Sequence, residues 1–229
     1  MSQEELRHEW KIAISRADVV ALRSRLLLLA TPDPYAVGDH GLYFIRSLYF
    51  DSPEDRALRE KLDGVAHREK FRIRYYNRDT SFIQLEKKSK WDTLGNKLKA
   101  NLTLEQAQSI VDGDTLWLAT SDQPLLRELY HKMHTQGLRP KTIVDYTREA
   151  YLYPAGDVRI TLDYDLRTGV NCTQAFRPDC LTVRPADTPD ILEVKWTSFL
   201  PDIIRDAVQL SDGRQVTAFS KYAACRTYW

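Results

Sequence analysis

Cysteine is scarce in this chain. Its three residues, Cys172, Cys180 and Cys225, form an odd count with no C-x-x-C spacing, which argues against a disulfide framework and against a zinc site. Free thiols in a reducing cytoplasm are the simpler reading. Long apolar runs are absent as well. The longest, Leu26–Ala30, falls far short of the ~20 residues of a membrane-spanning helix, and the polar, mixed-charge stretch Met1–Trp10 does not read as a signal peptide. There is no charge excess: 33 Lys and Arg against 32 Asp and Glu leave a formal +1. Nothing therefore draws the whole molecule to nucleic acid or to a membrane surface, and any basic site has to be local. No G-x-x-x-x-G-K-[ST] run occurs, so a nucleotide would be held by side chains rather than by a phosphate-cradling loop.

What is present is a globular composition, 43% apolar and 28% charged in 229 residues, enough for a core without staples. The length reads as one domain, 1–229. Ser15 with Asp18 is a capping box, and Val19, Leu22, Leu26 and Leu29 follow at helical spacing, which predicts a helix over 16–29. Ser52-Pro53 with Asp55 opens a second helix, stopped at Gly64. Thr103 with Gln106 opens a third, ending at Gly113, and Pro124 a fourth, ending at Gly137. Pro201 begins a fifth, and 213–226 reads as helical too. Strand-like runs fall at about 5–14, 42–51, 68–77, 80–90, 140–151, 157–165, 181–184 and 190–196. Short connections such as Tyr76–Thr80 favour hairpins and antiparallel pairing. The class is α+β.

The strands share an unusual alternation. Side chains two apart on a strand share a face. Lys70, Arg72 and Arg74 therefore oppose Phe71 and Ile73, and Gln84, Glu86, Lys88 and Lys90 share another face. Arg7, Glu9 and Lys11 line up, as do Tyr146 with Arg148, Arg159 with Thr161, Asp163 and Asp165, and Glu193 with Lys195. One wet face is ordinary for an antiparallel sheet. Six that repeat Arg and Lys around sparse Glu are not: Arg68 to Lys99 alone holds ten Lys and Arg against four Asp and Glu. A sheet curled into a barrel would gather these faces in one tunnel. Unpaired cations make a poor dry core, so such a lumen would hold a polyanion, water and a metal. Arg offers planar forks to phosphate oxygens, Lys a point charge. The isolated acids Glu9, Glu86 and Glu193 could take a divalent ion as well as pair with their neighbours.

In order along the chain come E-x-K, S-L-Y-F-D-S, K-x-R-x-R-Y-Y, L-E-K-K, L-E-V-K and S-K-Y. Their order and strand phase resemble the VTC domain, the polyphosphate polymerase domain of the vacuolar transporter chaperone complex, which has bacterial relatives. That family sits among the triphosphate tunnel metalloenzymes, beside the CYTH phosphatases and cyclases. The resemblance runs from about Arg7 to Tyr222. It implies an antiparallel β-barrel tunnel with helices packed outside, transfer of the γ-phosphate of ATP to a polyphosphate chain, and dependence on Mn²⁺ or Mg²⁺. By the same resemblance Lys11 matches the first-strand lysine, and Arg72 and Arg74 the phosphate-gripping pair. Lys88 matches the next strand's lysine, with Lys87 adjacent and the phase open, and Lys97 the lysine of a following loop. Tyr146 and Arg148 resemble the family's Y-x-R, Arg159 the next basic residue, Glu193 the metal-binding glutamate, and Ser220 with Lys221 the C-terminal pair. One departure is plain: CYTH enzymes begin E-x-E-x-K, whereas here Arg7 stands at the first acidic position, which favours the polymerase branch over a two-metal hydrolase.

The expected site is then Arg72, Arg74, Lys88, Arg148 and Arg159 around the reacting phosphates. Lys11, Lys70, Lys97, Tyr146, Lys195, Ser220 and Lys221 bind substrate, and Glu193, Glu9 and Glu86 hold metal. ATP and polyphosphate or triphosphate are the expected ligands, with no nucleic acid. The expected location is cytoplasmic, at a membrane only through a separate membrane protein. A tunnel hydrolase and a non-catalytic polyphosphate binder are the alternatives; an RNA-binding sheet is remote, because Tyr75, Tyr76 and Phe82 form no stacking platform. Glu128, His131 and His134 lie on one helix face, a weak metal pattern. The five tryptophans are expected in packing roles.

Overall fold

The computed structural model describes residues 8–36, 41–91, 94–170, 172–210 and 218–227. Arg7, Trp229 and the start of the expected 213–226 helix lie outside them. Among the described residues the strands are β1 (His8–Ile14), β2 (Thr31–Pro32), β3 (Leu42–Asp51), β4 (His67–Tyr76), β5 (Asp79–Trp91), β6 (Leu94–Leu102), β7 (Arg139–Tyr153), β8 (Val158–Gly169), β9 (Thr182–Val183) and β10 (Asp190–Trp196). The α-helices are α1 (Arg16–Leu29), α2 (Arg56–Leu62), α3 (Leu104–Asp112), α4 (Pro124–Gln136), α5 (Asp202–Ala207) and α6 (Lys221–Arg226). The strands follow the hydrogen-bonded path β1-β10-β8-β7-β3-β4-β5-β6, with β2 on β7 and β9 on β8. The fold is the expected α+β arrangement on an antiparallel sheet. Among the described residues the expected barrel is not closed by hydrogen bonds, since β1 and β6 end the path.

By compactness the chain divides into two units. One comprises the residues up to Phe44, Tyr146–Leu166 and Ala186–Ser220. Its core joins Val19, Leu22 and Leu26 of α1 and Ile204 of α5 to Ile160, Leu162, Leu192 and Val194, the apolar faces of β8 and β10. The capping box forms as read: Ser15 accepts from the Asp18 amide at 3.2 Å, and Asp18 accepts from the Ser15 amide at 2.7 Å. Glu149 of β7, fully buried, accepts from Arg23 and from the hydroxyls of Tyr151 and Tyr164, which fastens α1 to β7 and β8. Asp165 does not extend the Arg159-Thr161-Asp163 face, because its φ of 52° interrupts the extended backbone.

The other unit comprises Ile45–Asp145, Arg167–Pro185 and the residues from Lys221 on. Its core sets Phe71, Ile73, Ile83, Leu85 and Ala100 of β4, β5 and β6 against Ala107 and Ile110 of α3 and Leu125, Leu126 and Leu129 of α4. The β4–β5 turn puts both Asn77 and Arg78 at positive φ, 53° and 59°, the twist a two-residue hairpin needs. Strand β6, a two-residue β2 and 3₁₀ turns at Leu116–Thr120 and Ala155–Asp157 are the elements the sequence reading left out among the described residues. Lys97 accordingly lies on β6 and not on a loop. The start of α2 also differs from expectation. Asp55 is the N-cap residue, but its side chain makes no capping bond; instead the buried Asp51 carboxylate accepts from the amides of Ala57 (2.8 Å) and Leu58 (3.1 Å), and Ser52 accepts from that of Arg56.

No helix of the described residues is long and apolar enough to cross a membrane, which leaves a β-barrel crossing unaddressed.

Candidate functional site

In the unit built on β4, β5 and β6, register aligns the ionic side chains in rows, because paired residues of antiparallel strands share a face. Lys70, Lys88 and Lys97 form one row. Tyr49, Arg72, Glu86 and Lys99 form the next, and Ser47, Arg74, Gln84 and Asn101 the third. Lys87 pairs in register with Phe71 on the opposite face and bonds Glu69 and Glu128 there. That settles the phase: Lys88, not Lys87, belongs to the ionic face.

Glu86 is the centre of this face. It is 1% exposed and surrounded by cations: Arg72 Nη2 at 2.5 Å, Lys97 Nζ at 2.6 Å and Arg74 Nη1 at 3.8 Å. Burial alone would raise its pKa, but these three cations hold it well below the usual carboxylate range. Arg72 also donates to the Tyr49 hydroxyl at 2.6 Å, and Arg74, itself 5% exposed, donates to Ser47 Oγ at 3.1 Å. Glu86 thus organises a cluster in which Lys70, Arg72, Arg74, Lys88, Lys97 and Lys99 outnumber the acids, with Asp51 at the end of β3 as the other carboxylate near Lys70.

Burial pushes Lys70 down to about 8, helped by Lys61 and Arg68. Lys97 is pushed down to about 8 by burial and by Arg72 and Arg74, against the pull of Glu86. The sign follows directly. An unfolded lysine titrates near 10.4, so between about pH 8 and 10 the unfolded chain binds more protons than the folded one and stability rises with pH. Lys70→Met should therefore melt higher than the parent at about pH 7, with the gap closing by about pH 10. Thermal denaturation across that range checks this, and a gap that persists at the top of it would refute the assignment. An anion bound here would favour the charged forms, so its affinity should fall over the same interval.

In the other unit, register sets Glu9, Lys195 and Arg159 in one row and Lys11, Glu193 and Thr161 in the next. Lys11 Nζ lies 2.6 Å from Glu9 and 3.4 Å from Glu193; Lys195 Nζ lies 2.9 Å from Glu193 and 3.4 Å from Glu9. Burial opposes the charge on Lys11, yet Glu193 and Glu9 outweigh it and raise its pKa. Arg148 grips Asp163 through two bonds, at 2.6 and 2.7 Å, and lies over the Tyr146 ring. Arg159 pairs with Asp33 at 2.8 Å. Four cations meet four carboxylates, so this face is balanced where the other is strongly positive.

Divalent metal is implied by the family resemblance, and the donor sets differ in their fit. Glu9 and Glu193 both lie within 3.4 Å of the same ammonium groups, and Thr161 Oγ1 beside Glu193 is buried without a partner. Two carboxylates with an unfilled polar atom suit an ion that takes its remaining ligands from phosphate and water. Glu86 suits one poorly, because it is 1% exposed and crowded by three cations, two of them arginines. No group of three or more His, Cys, Asp or Glu suited to a metal occurs among the described residues, and Glu128 of the weak helix pattern pairs with Lys87.

Of the remaining residues, Lys221 opens α6 and Ser220 precedes it. Trp10 packs edge-on against Trp196 at 4.9 Å, Trp117 packs on the core, and Trp91 is exposed beside His67. The sequence reading missed Ser47 and Tyr49 as side chains of the ionic face, and Tyr222 behind them. Their signal was the alternation Ser47-Tyr49-Asp51 inside the S-L-Y-F-D-S run.

A family model described as the VTC domain matches residues 6–229. No curated protein is significantly similar in sequence. Among solved structures, a candidate adenylate cyclase from Bacillus halodurans superposes with a TM-score of 0.53 at 14% identity, over 85% of this chain and 81% of that one. A Pyrococcus horikoshii protein gives a TM-score of 0.47 at 13% identity, over 91% and 94%. The first shows a shared fold.

Proposed function

Because this chain belongs to the VTC domain family, we propose that it is a metal-dependent phosphotransferase that moves the γ-phosphate of ATP onto a polyphosphate chain. One observation carries the reading: three register rows of Lys and Arg converge on a single buried carboxylate, Glu86. Such a surplus suits a linear polyanion and suits little else. The attacking atom of the growing chain is a phosphate oxygen that is already anionic, so no general base is required. The protein's task reduces to alignment and charge neutralisation.

Arg72 and Arg74 supply planar forks to phosphate oxygens, and Lys70, Lys88 and Lys97 supply point charges. Glu86 holds Arg72, Arg74 and Lys97 in place. Arg148 is oriented by Asp163, and Arg159 by Asp33. Lys11, Lys195, Tyr146, Ser220 and Lys221 complete the substrate contacts that the family implies. Glu193 and Glu9 would hold Mn²⁺ or Mg²⁺, which when bound neutralises charge on phosphate oxygens. The proposal takes 1–229 as one functional domain. A place at the cytoplasmic face of a membrane, through a separate membrane protein, rests on the family alone.

The test is incubation with ATP and Mn²⁺, with and without a short polyphosphate primer, followed by gel analysis. A metal-dependent ladder of lengthening chains is expected. Free phosphate without a ladder would replace this reading with a tunnel hydrolase, and binding without turnover with a polyphosphate-binding module. Glu193→Gln should cut ladder formation about 100-fold or more while metal-free tripolyphosphate binding holds within about threefold. Undiminished turnover in that variant would remove Glu193 from the metal role.

A further inference from the structure

Beneath the cationic rows, a tyrosine of the C-terminal helix occupies a position that nothing in the proposed chemistry uses. Tyr222 on α6 is 1% exposed. Its hydroxyl donates to Asp51, a fully buried carboxylate that also accepts from the amides of Ser52, Ala57 and Leu58. Its ring stacks on Tyr49, centroids 5.0 Å apart. Lys70 Nζ lies 5.1 Å from the centre of the Tyr222 ring. Tyr49 in turn accepts from Arg72 at 2.6 Å. The two rings therefore back a lysine of one row and an arginine of the next. Helix α6 has only six residues, so side-chain latches set its place: Tyr222 to Asp51, and Arg226 to Asp55 at 2.8 Å.

We propose that Tyr222, latched by Asp51, is a positioning residue that sets the phosphate grip of Lys70 directly and of Arg72 through Tyr49. The inference deepens the phosphate-binding reading above and rests on it. The ring's negative face favours the charged form of Lys70, against burial and against Lys61, Arg68 and Lys88, with Asp51 the acid that helps. Removing the ring lowers the proton affinity of that lysine further. A purely architectural tyrosine would leave it unchanged.

The experiment measures tripolyphosphate binding by calorimetry, without turnover, from about pH 7 to pH 9.5. Tyr222→Leu removes ring and latch, whereas Tyr222→Phe keeps the ring and loses the hydroxyl. Tyr222→Leu should weaken binding roughly fivefold to tenfold and move the pH at which affinity falls to a lower value. Tyr222→Phe should keep the parent's pH midpoint, with a smaller loss of affinity. In a Lys70→Met background Tyr222→Leu should add little beyond the Arg72 contribution. Unchanged affinity and midpoint in a folded Tyr222→Leu chain would overturn the positioning role while leaving the phosphate site standing. If that variant does not fold, a Tyr222→Phe midpoint displaced from the parent's would overturn it instead. Failure of the parent chain to bind tripolyphosphate would overturn the phosphate reading first, and this role with it.

Discussion

Arg74→Ala should abolish phosphate transfer, by about 1000-fold, and leave the circular dichroism spectrum native. The two halves of this expectation have separate causes. Arg74 is 5% exposed on the ionic face and touches Ser47 at 3.1 Å and Glu86 at 3.8 Å. Removing it does not strand Glu86, because Arg72 and Lys97 hold that carboxylate at 2.5 and 2.6 Å. The apolar face of β4, Phe71 and Ile73, packs on α3 and α4 and is untouched. The fold therefore stays while a planar donor fork leaves the face proposed to hold the phosphates. Arg74→Lys separates charge from geometry: it restores the cation without the fork, so it should recover binding more than rate. Steady-state ladder assays on the three chains decide the matter. Activity in Arg74→Ala within about threefold of the parent would remove Arg74 from the proposed phosphate grip.

The residues of this face were largely legible in the sequence, because alternation on a strand is a local property. Lys70, Arg72 and Arg74 oppose Phe71 and Ile73 in the primary structure, and the register adds only which neighbours they meet. The adjacent pair Lys87 and Lys88 could not be phased from the sequence alone. Each is a lysine on the same strand, and the choice depends on Lys87 reaching Glu128 of α4. Strand β6 escaped for a different reason. Gly95 and Asn96 are residue types depleted in strands, and a strand with three polar residues on one side has weak intrinsic preference. Its alternation of Leu98, Ala100 and Leu102 with Lys97, Lys99 and Asn101 was nonetheless visible.

The helices were read to within a residue or two where their caps are local, as at Ser15, Thr103 and Gly137. The cap of α2 was misplaced because its carboxylate, Asp51, comes from the end of β3. The balanced face of the other unit shows the same limit. Arg159 read as a cation available to phosphate, yet its partner Asp33 lies far off in the chain. Such pairings carry no periodic signature. They depend on where the chain returns to after a turn, and only the fold states that.

Glu86→Gln should cost more stability than any other single change on the cationic face, about 3 to 5 kcal/mol. The carboxylate is 1% exposed and three cations lean on it. A neutral amide of the same shape keeps the packing and removes the charge, so Arg72, Arg74 and Lys97 are left to repel one another in a poorly solvated place. This loss differs in kind from a cavity in the core, and a second measurement shows it. An added polyanion can supply the missing negative charge. Tripolyphosphate should therefore raise the melting temperature of the variant more than that of the parent, by mass action on a site whose cation surplus has grown by one. Transfer activity should fall even as binding tightens, because Arg72 and Arg74 no longer share a common anchor and phosphate alignment is lost. The same bookkeeping fixes the acid limit of the parent. The three cations hold Glu86 well below the ordinary carboxylate range, so its contribution is intact above the unfolded value near 4.3 and is lost only as pH falls through the depressed folded value. A variant as stable as the parent, or one destabilised but indifferent to tripolyphosphate, would show that the cations are satisfied by something other than Glu86, and the electrostatic account of this face would fail.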